Sequence, residues 1–401
     1  MAETARQPFI DEFPEIVAFD KRYEEWNSRV SYFKKNDGIP GGRISIEGEE
    51  KINFSTYNYL GLNGDKRIND FVKNAIDRYG TSVSSSRLLT GEIELHEMLE
   101  KKIASMLGTD DAIVFVGGHS TNVNIIGNLV GPEDLIVHDA LAHNSSIQGC
   151  ILSRAKRMHF KHNNMEHLEG ILQRVQGKYR RVLIIAEGVY SMDGDICDLP
   201  GLIRLKKQYG ALLMVDEAHS FGTLGKCGRG VTSYFGVDPK DVDILMGTLS
   251  KSAASCGGYI AGSTSFIRFL RYNSPGFVFS CGITPPNAAA AYKAIELFEE
   301  DPERIERLHE NSEYFLKGVK ALGYDTGLSA DSPVVPIIIG DSVKTLEMSQ
   351  ELFKRGVNAL PIIHPAVKED EARVRFFMSA AHTREDLDET LEILTSLRDK
   401  I

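Results

Sequence analysis

Between residues 111 and 262, short apolar runs alternate with stretches of helical periodicity. The runs are AIVFV (112–116), DLIVH (134–138), RVLIIAEGVY (181–190), ALLMVDEAH (211–219), DILMGT (243–248) and GGYIAG (257–262). Several show no polar alternation, as expected of strands buried on both faces of a sheet. Residues 165–175 and 200–209 carry helical periodicity with charged outer faces, which predicts helices between the strands. Strand, helix, strand at this rhythm predicts an α/β fold built on a large, doubly wound, mostly parallel sheet. The last hundred residues change character. Charged helices predicted over 286–299, 302–322 and 343–355 surround strands at VVPIII, VNALP and RVRFFMS, and a last helix starts from Thr383. That pattern predicts a smaller α+β domain, completed by the first fifty or so residues. The expected division is an N-terminal segment over 1–60, a large domain over 61–300 and a small C-terminal domain over 301–401. No internal repeat or low-complexity tract interrupts it.

Composition narrows the partners. The 401 residues are 42% apolar and 25% charged, as in a globular protein with a sizeable core. No apolar run approaches the roughly 20 residues that a spanning helix needs, so no membrane span is expected. The start, MAETARQPFIDEFPEI, has no apolar h-region of a secretory signal. Five scattered cysteines, with no Cys-x-x-Cys pair, suit a reducing cytoplasm better than a disulfide framework or a zinc site, and no metal is expected. The formal charge of −10 argues against nucleic acid as a partner.

Two residues then stand out. Asp216 lies at the C-terminal end of the run ALLMVD, where open α/β sheets place ligand-contacting groups. Alone it reads as well as a carboxylate capping the next helix. Lys251 follows the run DILMGT amid small residues that permit close backbone approach. That context makes it a candidate imine-forming amine, although a surface loop is the commoner fate of lysine. Together they say more than either does alone. A pyridine cofactor needs a buried carboxylate to keep its ring nitrogen protonated and a lysine to bond its aldehyde. The preceding spacing in TLSKS is not that of a phosphate loop, and no Gly-x-Gly-x-x-Gly follows a strand, which discounts a nicotinamide dehydrogenase.

VDEAHSFGTLGKCGRG followed by GTLSKS resembles the α-oxoamine synthase family of fold-type-I, aspartate aminotransferase-like enzymes that use pyridoxal 5′-phosphate (PLP). The resemblance runs from YNYLGL at 57–62 to RVRFFMSAAHTREDLD. It implies that Asp216 binds the pyridine nitrogen, Lys251 carries the cofactor and His219 contacts its phenolic oxygen. His143 in VHDALAHNSS matches the histidine that stacks on the ring, whereas His138 is expected within its strand. Gly117, Gly118 and His119 open a helix whose N–H groups suit the cofactor phosphate. Thr248 and Ser250 add hydroxyls there, and Ser191 matches a serine near the cofactor oxygen. Arg375 matches the arginine that grips the amino-acid carboxylate, since a planar fork suits a bidentate contact. Its neighbour Arg373 is expected to face solvent. Tyr57 and Asn58 are expected beside the substrates. SCGITPPN at 280–287 resembles the stretch that reaches a neighbouring subunit's phosphate, which implies a homodimer.

The implied reaction joins a small amino acid (serine, alanine or glycine) to an acyl thioester, carried by coenzyme A or by a carrier protein. Decarboxylation then yields an α-amino ketone. His364 stands where synthases with a dicarboxylic donor carry a second arginine. With Tyr57 and GTLSKS, it leans the expectation towards serine palmitoyltransferase-like members and an uncharged acyl chain. An aminotransferase on the same fold would share Asp216 and Lys251, and His143 with the AHTREDLD tail separates the two readings. A non-catalytic binding or regulatory protein would not require Asp216, Lys251 and His143 together.

Overall fold

The computed structural model describes residues 9–27 and 32–398. Seven strands form the large sheet, in the order Asp111–Phe115, Gly258–Gly262, Ile244–Thr248, Leu212–Asp216, Val182–Glu187, Leu135–Asp139 and Lys156–Phe160. The last five of that order run parallel, and Gly258–Gly262 is antiparallel to both of its neighbours. The apolar runs are continuous because successive side chains enter different cores. Ile184, Ala186, Leu213 and Val215 pack into one, while Leu183, Ile185 and Met214 pack into the other. The fold is the mostly parallel α/β class that the sequence predicts.

Helices cross between the strands with capped starts. Asn164 Oδ1 accepts from His167 N at 2.7 Å ahead of Met165–Val175, and Asp198 Oδ1 accepts from Gly201 N at 3.0 Å ahead of Leu199–Tyr209. Three strands that the apolar pattern does not reveal are informative. Lys156–Phe160 (KRMHF) is an edge strand, mostly exposed, so it needs no apolar run. Arg43–Ile46 and Glu49–Asn53 form a hairpin turned at Glu47 and Gly48, both at positive φ, in the segment otherwise read only as N-terminal.

That hairpin joins the C-terminal region. Glu49–Asn53 pairs in parallel with Val357–Asn358, and Pro361–Ile362 joins the antiparallel sheet of Val334–Ile338 and Arg373–Phe377. The run VNALP is therefore split between two sheets. Phe54 stacks on Phe315 at 5.4 Å to seal the junction.

One expectation fails here. Arg373 does not face solvent: it is 3% exposed on the central strand of the small sheet, ion-paired with Asp193, and it donates to Met192 O at 3.2 Å. The alternation of a strand puts Arg373 and Arg375 on one side, and both side chains reach the 191–193 loop.

A second strut braces the other flank of that loop. His162 bonds Asp139 Oδ1 at 2.9 Å and Asp195 Oδ2 at 3.0 Å. Burial alone would depress the ring's pKa, but the two carboxylates outweigh it and hold it up to about 10. A folded pKa above the unfolded one contributes stability that is fully present below the unfolded value. That contribution is lost as pH rises through the folded value. Wild type is therefore expected to exceed His162→Gln by about 2 kcal/mol in mildly acidic buffer, less than the full shift implies because water screens part of the ring. Urea unfolding from about pH 6.5 to 10 should show the gap closing, and a gap independent of pH would contradict the strut.

Candidate active site

The carboxyl ends of the parallel strands converge on one cavity of about 80 Å³. Asp216 ends its strand there, 4% exposed, and its two oxygens accept from Asn122 Nδ2 at 2.8 Å and from Ala218 N at 2.9 Å. Its lateral neighbours across the sheet are Glu187 and Met246. Lys251 enters from the loop between two antiparallel strands, held by Leu249 N to Gly257 O at 2.9 Å and by Ala254 N to Lys251 O at 3.0 Å. Its amine lies 5.3 Å from the ring centre of Tyr57. Burial lowers its pKa to about 8, against the opposing pull of Asp216 and Glu187.

Two imidazoles complete the walls. His143 caps helix Asn144–Ser153, with Nδ1 accepting from Ser145 N at 3.2 Å and lying 2.7 Å from Ser145 Oγ. Burial, followed in smaller measure by Lys251, His119 and Arg375, lowers its pKa and so favours the neutral ring, against the opposing pull of Asp216. His219 Nδ1 is 2.7 Å from the Tyr59 hydroxyl, which leaves Nε2 for the cavity, and burial depresses its pKa strongly. At the far side, helix Gly118–Leu129 starts against Thr248. A Cβ on Gly118 would come within 2.7 Å of Thr248 Oγ1, so this approach requires glycine.

The structure thus gathers Gly118, His119, His143, Asp216, His219, Thr248 and Lys251 around one cavity. Tyr57, Asn58, Ser250 and Lys251 line a second, adjoining cavity of about 670 Å³. Asn58 also works structurally, since Nδ2 donates to Pro40 O at 3.0 Å and Oδ1 accepts from Asn63 N at 3.2 Å. Ser191 and Arg375 line neither cavity; Arg375 Nη1 donates to Ser191 O at 2.8 Å, and its charge reaches His143 and His219. Arg375 Nε is buried without a partner, and no carboxylate among the described residues neutralises this guanidinium. His138 sits inside its strand, as expected, with Nδ1 on Asp139 O at 2.7 Å. His364 is not gathered with the others. It faces solvent beside Pro365, with its backbone N–H 3.4 Å from Ser342 Oγ, and lines neither cavity.

Asn122, Ser145, Glu187 and Met246 also line the first cavity; Asn122 and Ser145 lie outside the apolar runs, while Glu187 and Met246 lie inside two of them without a chemical signal of their own. Glu187 heads the EGVYSMDGD segment that also holds Ser191, and its Oε1 accepts from His143 N at 2.6 Å. Burial, reinforced by Asp216, pushes its carboxyl well above the usual range. A compact set formed by His162, Asp193 and Asp195 is the one group with metal-like spacing among the described residues. Its charges are already matched, because His162 bridges two carboxylates and Arg373 holds Asp193.

The donor set fits PLP on chemistry alone: a buried carboxylate for a ring nitrogen, a depressed amine for an aldehyde, and a helix N-terminus with hydroxyls for a phosphate. Only the neutral amine attacks an aldehyde. Reconstitution of apoprotein should therefore quicken about tenfold per pH unit up to about pH 8 and then level off. Stopped-flow absorbance measures this, and a rate still climbing towards the ordinary lysine range would contradict the depressed amine.

Comparison with known proteins agrees with this geometry. The pattern of the aminotransferase class I and II family matches residues 49–394. An 8-amino-7-oxononanoate synthase of Symbiobacterium thermophilum is 44% identical over 349 residues, 87% of this chain and 88% of that protein. A serine palmitoyltransferase of Bacteroides ovatus is 38% identical over 363 residues, 90% of this chain and 91% of that one. Among solved structures, a serine palmitoyltransferase from S. paucimobilis with bound PLP–myriocin aldimine superposes with a TM-score of 0.92 at 28% identity, covering 98% of this chain and all of that one. The chain therefore belongs to the aminotransferase class I and II family and, within it, to the α-oxoamine synthases, PLP-dependent acyltransferases.

Proposed function

We propose that the protein condenses a small amino acid (serine, alanine or glycine) with an acyl thioester, releasing carbon dioxide and a free thiol and leaving an α-amino ketone. The observation that carries this reading is the single cavity shared by Asp216, Lys251, His143 and His219, three of which (Lys251, His143 and His219) also feel the charge of the partly unpartnered Arg375 guanidinium. PLP, when bound, supplies an aldehyde for amine exchange and a ring that absorbs the electrons released at the amino acid's α-carbon. Asp216 would hold the ring nitrogen and favour its protonated form, His143 would lie against the ring, and His219, with Ser191, would contact the phenolic oxygen. The N–H groups of Gly118 and His119 and the hydroxyls of Thr248 and Ser250 take the phosphate. Lys251, with a pKa near 8, serves as the base that removes the α-proton. Arg375 offers its free Nε edge to the substrate carboxylate.

The second cavity opens from Lys251 and suits the thioester. It is lined by apolar Ile44, Ile46 and Leu360 together with the amides of Asn36, Asn287 and Asn358. Among the described residues its cations are Lys251 and Lys34, and the latter already lies against the Phe353 ring at 3.0 Å. No arginine among the described residues lines it, which supports an acyl chain without a terminal carboxylate. His364 is exposed and lines neither cavity in the single chain, so this reading rests on the cavity lining and not on His364. Coenzyme A and a carrier protein both remain suitable carriers of the acyl group.

We further infer a homodimer. Exposed Leu88, Leu89 and Phe279 lie on segments held together by Ser86 Oγ to Val278 O at 2.7 Å, next to the 280–287 stretch. We place the enzyme in the cytoplasm. Its five cysteines are free, and no helix among the described residues is long and apolar enough to cross a membrane.

The test is turnover of PLP-loaded protein with each small amino acid and two thioesters of equal chain length, one ending in methyl and one in carboxylate. Mass spectrometry should detect the amino ketone. The methyl-ended donor should be favoured about tenfold or more, since a carboxylate left without a partner pays its desolvation cost. Equal use of both donors, or preference for the carboxylate, would overturn the uncharged-chain reading, and transamination without a ketone would overturn the condensation.

A further inference from the structure

The residues expected to hold the two sides of the cofactor ring are physically joined. Asn122, on helix Gly118–Leu129 and 1% exposed, gives one amide hydrogen to Asp216 Oδ2 at 2.8 Å and the other to Ser145 Oγ at 3.0 Å. The amide cannot be reversed without setting its oxygen against the Asp216 carboxylate, so its orientation follows from charge. Ser145 Oγ, already an acceptor, lies 2.7 Å from His143 Nδ1 and has that nitrogen as the acceptor for its own hydrogen. The Ser145 backbone N–H points at the same nitrogen from 3.2 Å. Two donors aimed at Nδ1 leave it unprotonated, and the hydrogen of the neutral ring then sits on Nε2.

We infer that Asn122 and Ser145 are positioning residues that set the tautomer of His143, so that it meets the amino-acid carboxylate as an Nε2–H donor, and that tie this choice to the orientation of Asp216. The inference rests on the functional reading above, in which His143 stacks on the cofactor and faces the amino acid. The groups around His143 are Asp216, Lys251, His119, Arg375, His219 and Glu187. Of these Asp216 favours a charged ring, while burial, Lys251, His119 and Arg375 oppose it. Protonating Nδ1 would also break two hydrogen bonds, so the relay and the surroundings favour the same neutral state.

Ser145→Ala removes the hydroxyl donor and its link to Asn122. The amino-acid KM should then rise about tenfold, the loss of roughly one hydrogen bond to a charged group, with a smaller fall in kcat. The acid limb of kcat/KM should move to higher pH, because His143 becomes easier to protonate. Ser145→Thr keeps a hydroxyl and should restore both. A merely structural role would lower Tm without moving the acid limb. The direct readout is nitrogen NMR of holoenzyme carrying [15N]histidine, with His143 assigned by the signal lost in His143→Gln. Wild type should show a protonated Nε2 and an unprotonated Nδ1, and Ser145→Ala should mix the two forms. A protonated Nδ1 in wild type overturns the inference, as does an unchanged tautomer and acid limb in Ser145→Ala. If Ser145→Ala does not fold, the wild-type spectrum alone decides. If no amino acid perturbs the visible spectrum of the loaded protein, the functional reading fails while the tautomer result still stands.

Discussion

The structure is organised around a buried carboxylate that no cation touches directly. Asp216 is 4% exposed, yet its hydrogen-bond partners are a side-chain amide and a backbone N–H rather than a guanidinium or ammonium. Removing a carboxylate from water costs several kcal/mol unless a charge compensates. A fold that needed only stability would place an apolar residue there. In our reading the compensation is the protonated ring nitrogen of PLP, so the burial that is costly for the protein alone is what gives the cofactor a fixed, low-dielectric partner. The doubly wound sheet makes this possible, because the end of a central parallel strand is walled by neighbouring strands and crossing helices.

The other groups are held by elements whose geometry serves the same point. An antiparallel return, Ile244–Thr248 to Gly258–Gly262, turns the Lys251 loop back over the cavity. The three-stranded sheet contributes a strand whose Arg373 and Arg375 both grip the 191–193 loop, while His162 braces that loop from the other side through Asp195. The Ser191 segment is therefore held from both sides.

Much of this was legible in the sequence, for reasons specific to each segment. RVLIIAEGVY and ALLMVDEAH announce buried strands because their alternate residues fill two different cores, and that burial is also what makes a terminal Asp216 conspicuous. Lys251 becomes informative only beside Asp216. The edge strand Lys156–Phe160 was illegible because a strand with one free side and exposed faces needs no apolar pattern. The reversed direction of Gly258–Gly262 left no trace either, since GGYIAG is equally apolar whichever way it runs. Arg373 looked like a surface residue because its partner, Asp193, is 180 positions away. Asn122 and Ser145 are small polar residues near helix starts, where such residues are ordinary caps. His364 carried weight through an alignment position that the folded chain turns towards solvent.

The account stands or falls on Lys251 being the amine that bonds the cofactor. Borohydride converts a lysine–aldehyde linkage into a stable amine, so reduction of the PLP-loaded protein followed by peptide mapping locates it. The account predicts one labelled peptide, the one containing GTLSKSAASCGG modified at Lys251, and no label on that peptide in Lys251→Ala. A label on any other lysine of the wild-type chain, or none at all in a protein that is visibly yellow, would contradict it.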